Sequence, residues 1–166
     1  MFRLSRETQE DSYEVEMLLD LAFAPGRTAL SSYSLRDGVD PIPDLCTVVR
    51  DEYDVVVGCI RFWPVRIGTA GDPALLLGPI AIHPTRQGEG LGRLLIGNGL
   101  TEAASLGWNL VLLVGDAPYY SRFGFTPAAP YGLSFPPPVN EDRFLIYQLT
   151  KDAALGVSGQ VSTWRR

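Results

Sequence analysis

Apolar residues along this chain change period several times, and each change marks an element. Residues 2–6 read as a short first strand. Over residues 11–23, Val15, Leu18, Leu19 and Ala22 recur at helical spacing behind Asp11 as an N-cap, and Pro25 with Gly26 ends the helix. A shorter helix is predicted over 28–35, followed by an acidic loop over 37–41 of the kind that carries substrate recognition on a rigid scaffold. Two β-rich runs, 45–50 and 55–66, flank the turn Asp51-Glu52-Tyr53-Asp54 as a hairpin, and 75–82 is a nearly continuous apolar strand buried on both faces. Gly78-Pro79 interrupts it; proline has no N–H for a ladder, so a bulge is predicted there. After His83-Pro84 come a helix over 90–106, a buried strand over 108–114, a short helix over 117–122 and a strand over 143–149.

The helix over 90–106 is not cleanly amphipathic. Leu91, Leu94 and Leu95 share a face with Asn98 and Glu102, while Ile96, Leu100 and Ala103 lie opposite. Gly97 and Gly99 each cost about 1 kcal/mol relative to alanine in a helix, which points to close packing against the sheet or a second subunit. Residues 135–139 contain three successive prolines and read as a stiff surface connection. The tail, 151–166, carries Val157, Val161 and Trp164 between polar residues and either adds a last strand or contacts a partner.

The 166 residues and 46% hydrophobic content suit one domain with a real core. Nineteen acidic against 14 basic side chains leave a net charge of −5, without the basic field that draws a protein to nucleic acid or anionic lipid. The longest apolar run, 74–82, falls well short of the roughly 20 residues that cross a bilayer, and Arg3, Arg6, Glu7, Glu10 and Asp11 occupy the place of a signal peptide's apolar stretch. A cytoplasmic protein without nucleic-acid or membrane partners is expected. Cys46 and Cys59 sit in strand-like runs, suiting reduced buried thiols, with a single bridge as the alternative. One histidine and two separated cysteines provide no zinc-ligand spacing, so no metal is expected. A Gly-x-Ser-x-Gly elbow is also absent, which leaves a serine hydrolase without support.

Gln87-Gly88-Glu89-Gly90-Leu91-Gly92 lies between an apolar strand and a helix. Glycines let the backbone bend tightly and approach an anion, while the unpaired N–H groups of the helix's first turn point at it. A plain strand-to-helix turn is the competing explanation. No Gly-Lys-Ser/Thr ends the segment, as a P-loop requires, and Arg93 stands where a dinucleotide-binding fingerprint has its third glycine. The segment resembles the acetyl-CoA loop of the GNAT superfamily of N-acetyltransferases, matching at Gln87, Gly90 and Gly92. Around it LGPIAIHPTRQGEGLGRLL, residues 77–95, is similar to that family's central strand, loop and helix. GDAPYYSRFGF, residues 115–125, is similar to its tyrosine-bearing segment, in particular that of the YhbS-like bacterial branch. The resemblance covers roughly residues 2–150.

It implies an α/β (α+β) domain over 1–150, with a mixed, mostly antiparallel sheet flanked by helices and a splayed, bulged central strand, followed by the tail 151–166. It further implies acetyl-CoA or coenzyme A as co-substrate, held by Gln87, Gly88, Glu89, Gly90, Leu91 and Gly92. Main-chain groups of Ile80, Ala81 and Ile82 would pair with pantetheine, and one N–H would donate to the thioester oxygen. By that family's spacing of Tyr, three residues, Gly-Phe, the resemblance implies Tyr120 as the catalytic acid, with Tyr119 packing or shaping the pocket beside it. Two core aromatics are the alternative. Glu52, Asp72, Glu141 and Asp142 are each either a base acting through water or a solvated carboxylate, and His83 is either a turn residue or catalytic. The expected function is acetyl transfer to an amine on a small molecule, peptide or protein by direct attack in a ternary complex, by a monomer or homodimer. A catalytically silent acyl-CoA sensor and a structural partner-binding domain are the alternatives.

Overall fold

The computed structural model describes residues 1–23 and 31–165. In chain order the elements are β1 (Arg3–Arg6), α1 (Ser12–Ala22), α2 (Ser31–Ser34), β2 (Thr47–Arg50), β3 (Val56–Ile67), β4 (Asp72–Ile82), α3 (Leu91–Ser105), β5 (Leu110–Val114), α4 (Ala117–Ser121), β6 (Thr126–Pro127), β7 (Leu133–Ser134), β8 (Phe144–Gln148) and β9 (Gly159–Thr163). The sheet runs β1-β2-β3-β4-β5-β8-β6. Every neighbouring pair along it is antiparallel except β4 with β5. This is the expected mixed, mostly antiparallel sheet between helices. The start of the helix predicted from residue 28, with Pro25 and Gly26, lies outside the described residues.

Strand alternation divides the core. Val48 packs with Val15, Leu18 and Leu19 of α1, whereas its neighbour Val49 packs with Leu91, Leu95 and Ile96 of α3, so the two helices cover opposite faces. The same split sends Leu75, Leu77, Val111 and Leu113 under α3, and Leu76, Leu110 and Leu112 toward Phe135, Phe144 and Ile146. Both faces are covered, which is why 75–82 and 108–114 read as unbroken apolar runs.

The sequence expectations for α3 and for Asp11 need correction. The buried positions of α3, namely Leu91, Gly92, Leu95, Ile96, Gly99, Leu100 and Ala103, form one face at i, i+3 and i+4 spacing, and Leu94 is exposed. Gly99 faces the Phe62 ring, where a Cβ would come within 2.6 Å, while Gly97 faces open space. Asp11 is the N-cap residue of α1, but its side chain makes no capping bond to the helix. Its carboxylate accepts from the Thr8 N–H at 2.7 Å and from Arg50 at 2.7 Å, fastening the helix start to β2. Cys46 and Cys59 are free and buried, and burial pushes their thiols up to about 11 and about 12. The short strands β6 and β7 are too brief to leave a sequence pattern.

β3 is much longer than β2, which pairs with it only as far as Ile60. The uncovered stretch, Val65 to Ile67, receives β9 from the tail, and β9 in turn pairs with β7. On the other side of β3, Ile60 faces Ile80 and Phe62 faces Leu77, so β4 carries one extra residue at Gly78-Pro79. That is the expected bulge. Parallel pairing of β4 with β5 is confined to Leu75–Val111 and Leu76–Leu112. Beyond it the two strands part.

Candidate active site

The opening between β4 and β5 is a cleft of about 370 Å3. Its walls are Leu77 to Ile80 on one strand and Leu113 to Asp116 on the other, with Tyr119 and Tyr120 of α4 beside them. Along the far half of β4, His83 N–H donates to Val57 O, and Ala81 faces Cys59 across the β3 ladder. Antiparallel hydrogen bonding alternates, so Ala81 spends its backbone groups on β3, whereas Ile80 and Ile82 turn theirs toward the opening. The Ile82 carbonyl there accepts from Gln87 Nε2 at 3.2 Å. Of the three residues expected to offer main-chain contacts, two are placed to do so.

A second pocket, of about 250 Å3, lies at the N-terminus of α3 and is lined by Gln87, Gly88, Gly90, Leu91 and Gly92. Gly88 and Gly90 both have φ of +81°, in the left-handed region, with open space where a side chain would go. The first helical bond runs from Leu94 N–H to Gly90 O. The N–H groups of Leu91, Gly92 and Arg93 therefore have no acceptor within the helix and face the pocket at the positive end of the helix dipole. The Leu91 side chain is buried in the core, so only its backbone can serve a ligand. Glu89 does not line the pocket; its carboxylate lies 3.7 Å from Arg86.

Three arginines surround this pocket, and none was singled out from the sequence as a binding group. Arg86 is held by Asp51 at 2.9 Å and Glu52 at 2.8 Å, which anchors the glycine loop to the β2–β3 hairpin. Arg93 lies over Phe123, and Arg122 over Tyr119 and Phe123; both are exposed. Arg93 and Arg122 stand inside the two motifs, but nothing in a linear motif says that their side chains converge.

Asp116 caps α4 by accepting the Tyr119 N–H at 3.2 Å, and this sets the two rings. They meet edge to face, with centroids 5.0 Å apart. Burial pushes the Tyr120 phenol up to about 12. Tyr119, expected to pack or to shape the pocket, lines both the cleft and the glycine pocket. A Cβ on Gly92 would collide with its hydroxyl. The cleft also contains Arg36, Tyr33 and Arg143, residues that no sequence motif indicated. Arg36 is buried over the Tyr33 ring at 4.4 Å and the Trp63 ring at 5.6 Å, and burial brings its guanidinium down to about 10, still charged at neutral pH.

His83 is a turn residue. Its Nδ1 accepts from the Thr85 N–H at 3.2 Å, and its ring faces the surface groove beside Met17 and Leu21 rather than either pocket. Glu52 is held down to about 2 by its hydrogen bond from Arg86. Neither Glu52 nor Asp72, Glu141 or Asp142 lines the cleft.

A strand pair opened beyond a bulge, with a glycine-rich helix N-terminus at one end and a phenol at the other, is the arrangement the motifs implied. The acetyltransferase (GNAT) domain family matches residues 43–127. The chain is 32% identical to the uncharacterized N-acetyltransferase YhbS of Escherichia coli over 151 residues, 91% of this chain and 89% of that one. The chain belongs to the GNAT acetyltransferases. The GNAT fold carries through in three dimensions: the crystal structure of Escherichia coli YhbS in complex with CoA superposes with a TM-score of 0.85 at 30% identity, covering 98% of this chain and 89% of that one. A GNAT family acetyltransferase from Brucella melitensis in complex with acetyl-CoA matches with a TM-score of 0.73 at 26% identity, covering 99% of this chain and 97% of that one. Among the described residues, no helix of this GNAT protein is long and apolar enough to cross a membrane.

Proposed function

We propose that this GNAT protein moves the acetyl group of acetyl-CoA to an amine by direct attack in a ternary complex, with Tyr120 as the acid that protonates the departing thiolate. The observation that carries this reading is that the glycine pocket at the α3 N-terminus and the cleft holding the Tyr120 phenol adjoin at Tyr119, which lines both. The complexes of its relatives with CoA and acetyl-CoA support the choice of donor.

The residues present fit that co-substrate. The glycine loop and the N–H groups of Leu91, Gly92 and Arg93 suit a diphosphate, with Arg93 and Arg122 adding charge at the rim. The open edge of Ile80 and Ile82 suits an extended amide-bearing arm, which would pair with it like an added strand. The same edge has an N–H for the thioester oxygen as negative charge develops there.

A neutral amine nitrogen forms its bond to the carbonyl carbon as the carbon–sulfur bond breaks. Tyr120 gives its proton to sulfur, and the proton lost by the amine passes to solvent, from which the phenol is restored. The raised Tyr120 pKa keeps that proton in place at neutral pH. An assay of free CoA release from acetyl-CoA across an amine library tests the proposal: acceptor-dependent release supports it, and CoA binding without release for any amine overturns it.

A further inference from the structure

Arg36 is the residue the acetyl-transfer reading leaves unexplained. It is only 9% exposed, yet its Nε and Nη1 have no hydrogen-bond partner among the described residues. The other partly buried arginines all have hydrogen-bond partners: Arg50 has Asp11 and Glu14, Arg61 has Glu7 and Glu16, Arg86 has Asp51 and Glu52, and Arg66 donates to the Trp164 and Gly71 carbonyls. No carboxylate among the described residues pairs with Arg36, and residues 24–30 contain no aspartate or glutamate. A guanidinium out of water without an anion is costly, and the two aromatic faces offset only part of that cost.

The group is also held in place. Tyr33 and Trp63 flank it, Trp63 donates to the Gly78 carbonyl at 2.6 Å, and Nη2 reaches to 3.1 Å from where a Gly78 Cβ would lie. It therefore sits against the bulge, in the same cleft as Tyr120. Arg143 lines that cleft too, and the one carboxylate lining it among the described residues, Asp116, is already committed to capping α4. In a chain of net charge −5, this cleft is positive.

We infer that Arg36 binds the acceptor, and that the acceptor is a small amine carrying a carboxylate, as a free amino acid does. This rests on the acetyl-transfer reading of the cleft. Nη2, beside the bulge, offers a carboxylate a charge-assisted donor. The positive surroundings serve the chemistry as well, because they disfavour a protonated amine and so favour the nucleophilic form without a dedicated base.

The test compares the free amino acids with their α-amides and with the matching decarboxylated amines, using acetyl-CoA and the full chain, and adds phosphoethanolamine. The inference expects at least one amino acid to exceed its amide about 10-fold or more in kcat/KM, mostly through KM, the size expected for a charge-assisted hydrogen bond. Arg36→Gln is expected to abolish that difference and Arg36→Lys to restore part of it, while the acetyl-CoA Kd of both variants stays within about 2-fold of the parent by calorimetry. If Arg36→Gln does not fold, the matched pairs on the parent protein decide the question alone. Equal use of acids and amides, a preference that survives Arg36→Gln, a preference for phosphoethanolamine, or turnover confined to protein or polyamine acceptors overturns the inference while acetyl transfer stands. Failure of the parent to bind acetyl-CoA overturns both.

Discussion

The Tyr119 hydroxyl lies directly against Gly92, at the first turn of α3, with no room for a Cβ between them. The contact lies where the glycine pocket adjoins the cleft. Gly92 is thus required by its neighbour, whereas Gly90 is required by its own backbone, since φ of +81° strains any residue with a side chain.

Gly92→Val is accordingly expected to displace Tyr119 and to weaken acetyl-CoA binding about 10-fold or more, with the fold retained by circular dichroism. Calorimetric titration provides the affinity. A folded variant with parental affinity would reduce the loop to a turn.

Tyr120→Phe removes one hydroxyl and keeps the ring. Acetyl-CoA affinity should stay within about 2-fold while kcat falls about 100-fold, the usual contribution of a general acid. Tyr119→Phe should be milder in kcat. A selective loss at Tyr119 would transfer the role to the phenol over Gly92.

The pH profile of kcat provides a separate check. A general acid acts in its protonated form, and a pKa pushed up to about 12 by burial keeps it protonated as pH rises. The rate should climb as the acceptor amine loses its proton and then level off, with no descending limb until pH approaches about 12. A fall beginning near about pH 8 would point to a different acid.

Arg61 lies on β3 opposite the bulge and donates to both oxygens of Glu7, at 3.0 and 2.8 Å, with both side chains largely buried. Glu7→Gln leaves that cation short of charge and should lower the unfolding free energy by about 3 kcal/mol in urea titrations. A loss below about 0.5 kcal/mol would class the pair with screened surface ion pairs.

Truncation before Gly159 removes β9, exposing the Val65 to Ile67 edge of β3 and deleting the buried Val161. Loss of about 2 kcal/mol of apolar burial corresponds to a drop in Tm of about 5 °C or more for a chain of this size. An unchanged Tm in calorimetry would make the tail an appendage.

Sequence alone determined what depends on neighbours along the chain. The apolar runs that become β4 and β5 are legible because both faces of each strand are buried. The bulge is legible because Pro79 cannot donate to a ladder, and the glycine loop because Gly88 and Gly90 precede a helix that opens Leu91-Gly92. The match at Gln87, Gly90 and Gly92 and the tyrosine segment already pointed to the GNAT family. Tertiary structure alone decided what depends on residues far apart meeting in space. It brought Tyr33 and Arg36, from the end of α2 and the turn after it, to Trp63 of β3 at the bulge, carried β9 across to the uncovered end of β3, and turned Leu94 outward although it matches its buried neighbours in hydrophobicity. Periodicity records which face of an element avoids water, whereas a site records which faces converge, and convergence is a property of the packed sheet.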